Sequence, residues 1–284
     1  MRALLSILLA FVGAPLLAPA AARAEDPKPE IVSVNGMVTQ VFVPPGQGPF
    51  PVLVFSHGRS GAPAERAALD HPIPLGHAGY WVGKGFAVVA PIRPGYGATG
   101  GADQENSGAR WDAQGQCPGA PNVGRALGNA ATAVRAALDW ARNQSWAKRD
   151  RIILAGQSVG GMTSVVLGGQ NPPGVVGIIN FSGGAAGDPT KHPGQSCGVD
   201  DLATVYGAAG RGTRAPSLWL YASNDLYWGA EAPRRWHQAF ALGGSRTKFV
   251  MTAPVPDADG HNLMRRGGRL WSEHVNPFVA SLGF

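Results

Sequence analysis

The sequence predicts an α/β protein: a mainly parallel central sheet with helices on both faces. Three observations predict it. Short apolar runs of buried-strand length recur at residues 51–56, 86–90, 152–155, 175–181, 217–221 and 248–252. Stretches with helical spacing of apolar residues fall between several of them, which is the alternation that builds crossover units. No fixed-period repeat and no second hydrophobic unit interrupts the series, so residues 25–284 read as one domain with a sizeable core.

The chain begins with a basic Met1-Arg2, an apolar run over 3–17 and an Ala22-Arg23-Ala24 cleavage site. Together these predict a secretory signal peptide over 1–24 and an exported protein, periplasmic or extracellular. The run is short for a bilayer span, and no later stretch is long and apolar enough, so no membrane span is expected in the mature chain. Residues 25–30 are a polar leader. Residues 31–43 alternate as one or two edge strands and are ended by Pro44-Pro45-Gly46. The strand at 51–56 runs into His57-Gly58-Arg59-Ser60-Gly61. A short helix over 78–85 precedes the strand at 86–90. A long irregular segment follows over 91–121. Asn122 is placed to cap a helix from 123 to about 146. A second glycine-rich insertion is expected over 182–215, then a helix over 230–242 and a last helix over 267–282.

Charge and cysteine content narrow the function classes. The formal net charge of +6 is mild for 284 residues. It biases encounters toward anionic partners, and with no Lys/Arg-rich run or recognised motif it excludes a nucleic-acid binder. Two cysteines, Cys117 and Cys197, in an exported chain predict one disulfide. No C-x-x-C and no ligand set around His71 and His77 suggests a metal site. Gly95-Tyr96-Gly97-Ala98-Thr99-Gly100 spells a dinucleotide fingerprint, but loop residues follow where that site needs a helix. Residues 79–84 are too short for a P-loop and lack its Ser/Thr.

The chemistry centres on Gly156-Gln157-Ser158-Val159-Gly160, a G-x-S-x-G between an apolar strand and a run of small and apolar helix residues. That context is a nucleophile elbow, with the serine at a helix N-terminus where free N–H groups favour an oxyanion. A serine hydroxyl is a weak nucleophile and needs a base and an orienting acid. In an open α/β sheet these come from loops at the C-terminal ends of strands. Asp225, after the strand at 217–221, is the candidate acid, with Asp188 its rival. His261, after the last strand, is the candidate base, with His192, His237 and His274 weaker rivals. The oxyanion donors are expected to be the N–H of Val159 and that of Arg59, with Ser60 the alternative to Arg59.

His57-Gly58, the G-x-S-x-G, the Asp225 loop and Asp259-Gly260-His261 together resemble the α/β-hydrolase superfamily. The resemblance is nearest to exported dienelactone-hydrolase-like and lipase-like serine esterases, and extends to bacterial poly(aspartic acid) hydrolases. It implies the α/β-hydrolase fold over essentially the whole mature chain and a Ser-His-Asp acyl-enzyme mechanism with no cofactor. True dienelactone hydrolases carry a cysteine where Ser158 stands, so the resemblance implies cleavage of ordinary esters or amides. Arg59, Arg93, Arg265 and Arg266, with Tyr96, Trp111, Tyr227 and Trp228, fall near the same face by position. Of these, Arg93, Tyr96, Trp228 and Arg265 are the expected substrate contacts, in a cleft for a small ester or an anionic polymer. A Cys117–Cys197 bridge would tie together the two insertions over Ser158. A binding protein without catalysis is the reading from another class, disfavoured because all three triad residue types stand at suitable loops.

Overall fold

A computed structural model describes residues 27–119 and 121–284, so the signal peptide expected over 1–24 lies outside the described residues. In chain order the elements are β1 (Glu30–Val34), β2 (Met37–Phe42), β3 (Phe50–Ser56), α1 (Pro63–Ala67), α2 (Leu75–Gly83), β4 (Ala87–Pro91), α3 (Val123–Arg142) and β5 (Ala147–Gln157). There follow α4 (Val159–Gly169), β6 (Val175–Phe181), β7 (Gly187–Asp188), β8 (His192–Ser196), α5 (Val199–Gly212) and β9 (Ser217–Ala222). The chain ends with α6 (Glu231–Ala241), β10 (Thr247–Thr252), α7 (Leu263–Arg266) and α8 (Gly268–Ser281).

Eight strands form one sheet in the order β1-β2-β4-β3-β5-β6-β9-β10. β1 and β2 form an antiparallel hairpin, and β2 also runs antiparallel to β4. The remaining neighbours are all parallel. Asn35 and Gly36 both have positive φ at the hairpin turn, the conformation that matches the twist of its strands. β5 lies centrally, so Ser158 emerges from the middle of the sheet.

Side chains alternate between the two faces of each central strand. Leu53 and Phe55 of β3 join Trp81 of α2 and Trp271 and Val275 of α8 on one face. Val52 and Val54 point the other way, against Ala131, Val134 and Leu138 of α3. A third cluster joins α4, α5 and α6 to β9 through Met162, Tyr206, Trp219, Trp236 and Phe240. Because both faces are covered, the central strands read as continuous apolar runs rather than as alternation.

Two expectations about elements need correction. The helix after Asn122 ends at Arg142 and not near Trp146; the cap itself is as expected, with Asn122 accepting from the Arg125 N–H. Trp146 instead lends its carbonyl to Phe50 N at 2.6 Å, starting the β3–β5 pairing. The insertion over 182–215, expected as a glycine-rich loop insertion, contains the β7–β8 ribbon and the 14-residue α5. Two glycines of α5 are packing glycines. A Cβ on Gly210 would lie 2.1 Å from the Phe240 carbonyl oxygen, and one on Gly212 2.0 Å from that of Gly169.

Candidate active site

Ser158 sits between β5 and α4 with φ 59° and ψ −129°, backbone angles that a non-glycine residue adopts only under constraint, at a cost of about 1–3 kcal/mol. The constraint is crowding. A Cβ on Gly156 would lie 2.2 Å from the Gly160 oxygen, and one on Gly160 2.0 Å from the Ser56 oxygen. The two glycines of the motif therefore let the start of α4 press against both β5 and the end of β3. Hydrogen bonds from Ser158 N to the Phe181 carbonyl (3.0 Å) and from Gly184 N to the Ser158 carbonyl (3.3 Å) fix the turn. Ser158 is 6% exposed and lines a cavity of about 840 Å³ over the C-terminal ends of the central strands.

His261 lines the same cavity, and Asp225 stands behind it. Asp225 is 2% and His261 8% exposed, and His261 Nδ1 meets Asp225 Oδ2 at 3.2 Å. The other oxygen, Oδ1, accepts from the N–H groups of Tyr227 (2.8 Å) and Trp228 (3.1 Å). A neutral imidazole donating from Nδ1 to the carboxylate keeps Nε2 as an acceptor. Tyr227 stacks on the His261 ring at 4.0 Å between centroids, and Trp228 meets it edge-on at 5.2 Å. The loops bearing the acid and the histidine are themselves laced together. Asp259 Oδ1 accepts from both Leu226 N and His261 N, each at 2.9 Å. Asn224 bonds through its side chain to Val255 and Ala258.

The rival residues are engaged in other contacts. Asp188 also borders the cavity, but its Oδ1 accepts from Thr190 N and Lys191 N of its own turn. The Lys191 N–H bond leads the effects that hold its carboxyl below the usual range. His192 borders the cavity and stacks on Trp111, His237 of α6 bonds Thr247 Oγ1 at the start of β10, and His274 neighbours Glu273 on α8.

Among the expected oxyanion donors, Val159 is the first residue of α4, and Arg59 belongs to a strap that runs from the end of β3 past the nucleophile. A Cβ on Gly58 would approach Gln157 Oε1 to 2.8 Å and Ser158 Cβ to 3.3 Å. Ser60 instead builds the turn into α1, bonding Glu65 and Ala62 N through its hydroxyl. The Arg59 guanidinium pairs with Asp103, which it shares with Arg66.

Of the expected substrate contacts, Tyr96, Trp228 and Arg265 line the cavity. Tyr96 and Trp228 are 2% exposed and bonded inward, to Glu105 Oε2 and to the Ser182 carbonyl. Desolvation by burial leads the effects that raise the Tyr96 phenol above its usual value. Arg93 is the exception. Its side chain is 0% exposed and paired with Glu105 in the interior, so it does not face the cavity as the sequence reading expected. The missed partner lies twelve residues further on, inside a segment that carries no periodic signal.

Cys117 and Cys197 are bonded, with their Cα atoms 5.3 Å apart. The bridge joins the insertion after β4 to the one after β6, and both contribute to the cavity wall, at 105–112 and 185–192. Among the described residues, no group of three or more His, Cys, Asp or Glu is placed to hold a metal, and no helix is long and apolar enough to cross a membrane.

Comparison with known proteins bears on the fold. Residues 86–181 match the Abhydrolase family. A putative dienelactone hydrolase from Klebsiella pneumoniae superposes with a TM-score of 0.56 at 14% identity, covering 88% of this chain and 97% of that one. Est1E from Butyrivibrio proteoclasticus gives 0.56 at 16% identity, covering 90% and 98%. An acetyl xylan esterase from Paenibacillus sp. R4 gives 0.56 at 16% identity, covering 86% and 79%. No curated protein matches in sequence. The chain thus has the α/β-hydrolase fold, and its segment 86–181, from the start of β4 to the end of β6, matches the Abhydrolase family.

Proposed function

We propose that this protein is an exported serine hydrolase that cleaves carboxylic esters. The observation that carries the reading is the Ser158 elbow opening into the same cavity as His261, whose Nδ1 is held by Asp225. In this mechanism His261 Nε2 takes the Ser158 hydroxyl proton as Oγ attacks the ester carbonyl. The N–H groups of Val159 and Arg59 receive the developing oxyanion. His261 then delivers its proton to the leaving alkoxide, and the acyl group stays on Ser158. Water, activated by the same imidazole, attacks the acyl carbonyl and frees the acid. Asp225 keeps the imidazole in the required tautomer and stabilises its cation, and the Tyr227 ring face adds a cation–π contribution of about 0.5–2 kcal/mol. The solved relative named as an acetyl xylan esterase agrees with this reading, and the disulfide fits an oxidising compartment.

The test is labelling by a fluorophosphonate probe together with turnover of a p-nitrophenyl ester. Wild type should label and turn over. Ser158→Ala should lose both, with kcat down by on the order of 10⁴-fold or more. Undiminished turnover in that variant rejects the assignment.

A second reading, cleavage of an anionic chain, rests on Arg110, Lys191 and Arg265 at the cavity wall. Glu65, Asp112 and Asp188 line the same cavity, and Arg59 and Arg66 share Asp103, so the neutral ester is favoured. The readings separate in a paired assay at low and high salt. Cleavage of poly(aspartate) that falls steeply with salt supports the anionic chain. Ester turnover without polymer cleavage removes it.

A further inference from the structure

The buried pair Arg93–Glu105 takes no part in the chemistry above, yet it sits directly beneath the strap that passes Ser158. Arg93 Nε donates to Glu105 Oε1 at 2.6 Å and Nη2 to Oε2 at 2.9 Å, a two-toothed ion pair. Tyr96 adds its hydroxyl to Oε2 at 2.7 Å. The rest of the guanidinium is directed at the strap. Nη1 donates to Ser56 Oγ (3.0 Å) and to the His57 carbonyl (2.7 Å), and Nη2 reaches the Gly58 carbonyl at 3.4 Å. The backbone N–H of Arg93 donates to His57 Nε2 at 3.1 Å, so the proton of that ring lies on Nδ1, which donates to the Gly58 carbonyl at 2.7 Å. Burial, and then the Arg93 charge, hold the ring neutral by pushing its pKa well below the ordinary value.

Both carbonyls of the strap, those of His57 and Gly58, are thereby captured from one side. In a trans peptide the N–H points opposite to the C=O. The N–H groups of Gly58 and Arg59 are therefore turned away from Arg93, and the Arg59 N–H has no hydrogen-bond partner among the described residues. The strap cannot rotate the other way, because the Ser56 and His57 oxygens already press on Gly160 and Gly58 borders Ser158.

We propose that Arg93 is a positioning residue: by holding the His57 and Gly58 carbonyls, its guanidinium keeps the Arg59 N–H facing the cavity as an oxyanion donor. Glu105 makes this possible by neutralising and orienting the guanidinium in a site where an unpaired charge would be strongly destabilising. A lysine cannot do the same, because one ammonium cannot reach the carboxylate, the Ser56 hydroxyl and two carbonyls from a planar fork. The proposal rests on the serine-hydrolase reading and also decides between Arg59 and Ser60 as donor, since of these two only the Arg59 N–H belongs to a captured peptide.

The test compares wild type with Arg93→Lys on a p-nitrophenyl ester and measures the affinity of phenylboronic acid, which forms a tetrahedral adduct on a nucleophilic serine. Arg93→Lys should lower kcat roughly tenfold or more with KM within about threefold, and boronate affinity should fall in the same proportion as kcat/KM. Should that variant not fold, the neutral pair Arg93→Gln with Glu105→Gln leaves no buried charge and carries the same expectation. Unchanged kcat, a change confined to KM, or a fall in rate with boronate affinity intact overturns the proposal. Retained turnover in Ser158→Ala would instead remove the underlying reading, so the two failures are distinguishable.

Discussion

The Ser158 elbow and the wall above it are held by different physics. The elbow is fixed by backbone crowding: Gly156 and Gly160 leave no room for a side chain, and the helix, two strands and the strap are pressed onto one another. Part of the wall is made of two insertions that, among the described residues, share no sheet pairing with the core; one covalent bridge, Cys117–Cys197, and a stacked Trp111–His192 pair at 4.1 Å join them. Rigidity in the first region comes from exclusion and in the second from cross-linking. Chemistry that needs sub-ångström placement sits in the first. The shape that selects a substrate sits in the second.

The largest effect should separate the acid that touches the base from one that merely borders the cavity. Asp225→Asn removes the carboxylate from His261 and favours the wrong tautomer, so kcat/KM for a p-nitrophenyl ester should fall by on the order of 10⁴-fold. Asp188→Asn, which alters only a turn, should leave it within about threefold. The reverse pattern would reassign the acid.

A smaller effect should mark the wall. Cys117→Ala opens a loop with a sequence separation of 80, worth on the order of 4 kcal/mol in the chain-entropy picture. Melting by calorimetry should drop by several degrees. The rate with the smallest esters should change little, while larger esters lose selectivity. An unchanged melting temperature would show that the wall is held without its bridge.

The effect that is smallest near neutral pH, and grows as pH falls, comes from buried imidazoles. His77 lies in an aromatic cage of Phe55, Tyr80, Trp81, Phe181 and Trp271, where burial lowers its pKa to about 3. His57 shifts in the same direction. Each ring is neutral when folded but takes up a proton near pH 6.5 when unfolded. The stabilisation is therefore full above that pH and is lost as pH falls, by up to about 1.4 kcal/mol per unit for each ring, down to about pH 3 for His77. Urea denaturation at pH 7, 6 and 5 should show this slope, and His77→Phe should flatten it by one proton. An identical slope in that variant would place the acid sensitivity elsewhere.

The same contrast explains what the sequence made legible. β5, the elbow and α4 are contiguous, so local pattern and the steric demand of two glycines suffice to read them. Asp225 and His261 were readable as residues just past strands, because parallel sheets gather strand ends at one edge. Arg93 was misread for a physical reason: its guanidinium is spent on Glu105, and that pairing exists only once the segment after β4 has folded back. α5 lies inside a stretch legible only as a glycine-rich insertion, and two of its glycines, Gly210 and Gly212, are points where helices touch. Asn224 and Asp259 stand beside the candidate acid and base in sequence, but their lacing of the acid loop to the histidine loop is visible only when two loops some thirty-five residues apart are seen side by side.

The bridge between the insertions also governs how such a chain can change. A substitution in either insertion moves one side of the cavity while its tethered partner stays put, so single changes are buffered. Grafting one insertion from a relative would leave a lone thiol and half of a wall built for another partner. Grafting both together would keep the cap whole, but it would also exchange Asp103 and the Arg93–Glu105 pair, and with them the hold on the strap beside Ser158. The cysteine pair makes the two insertions one unit of inheritance, and that unit includes part of the oxyanion support.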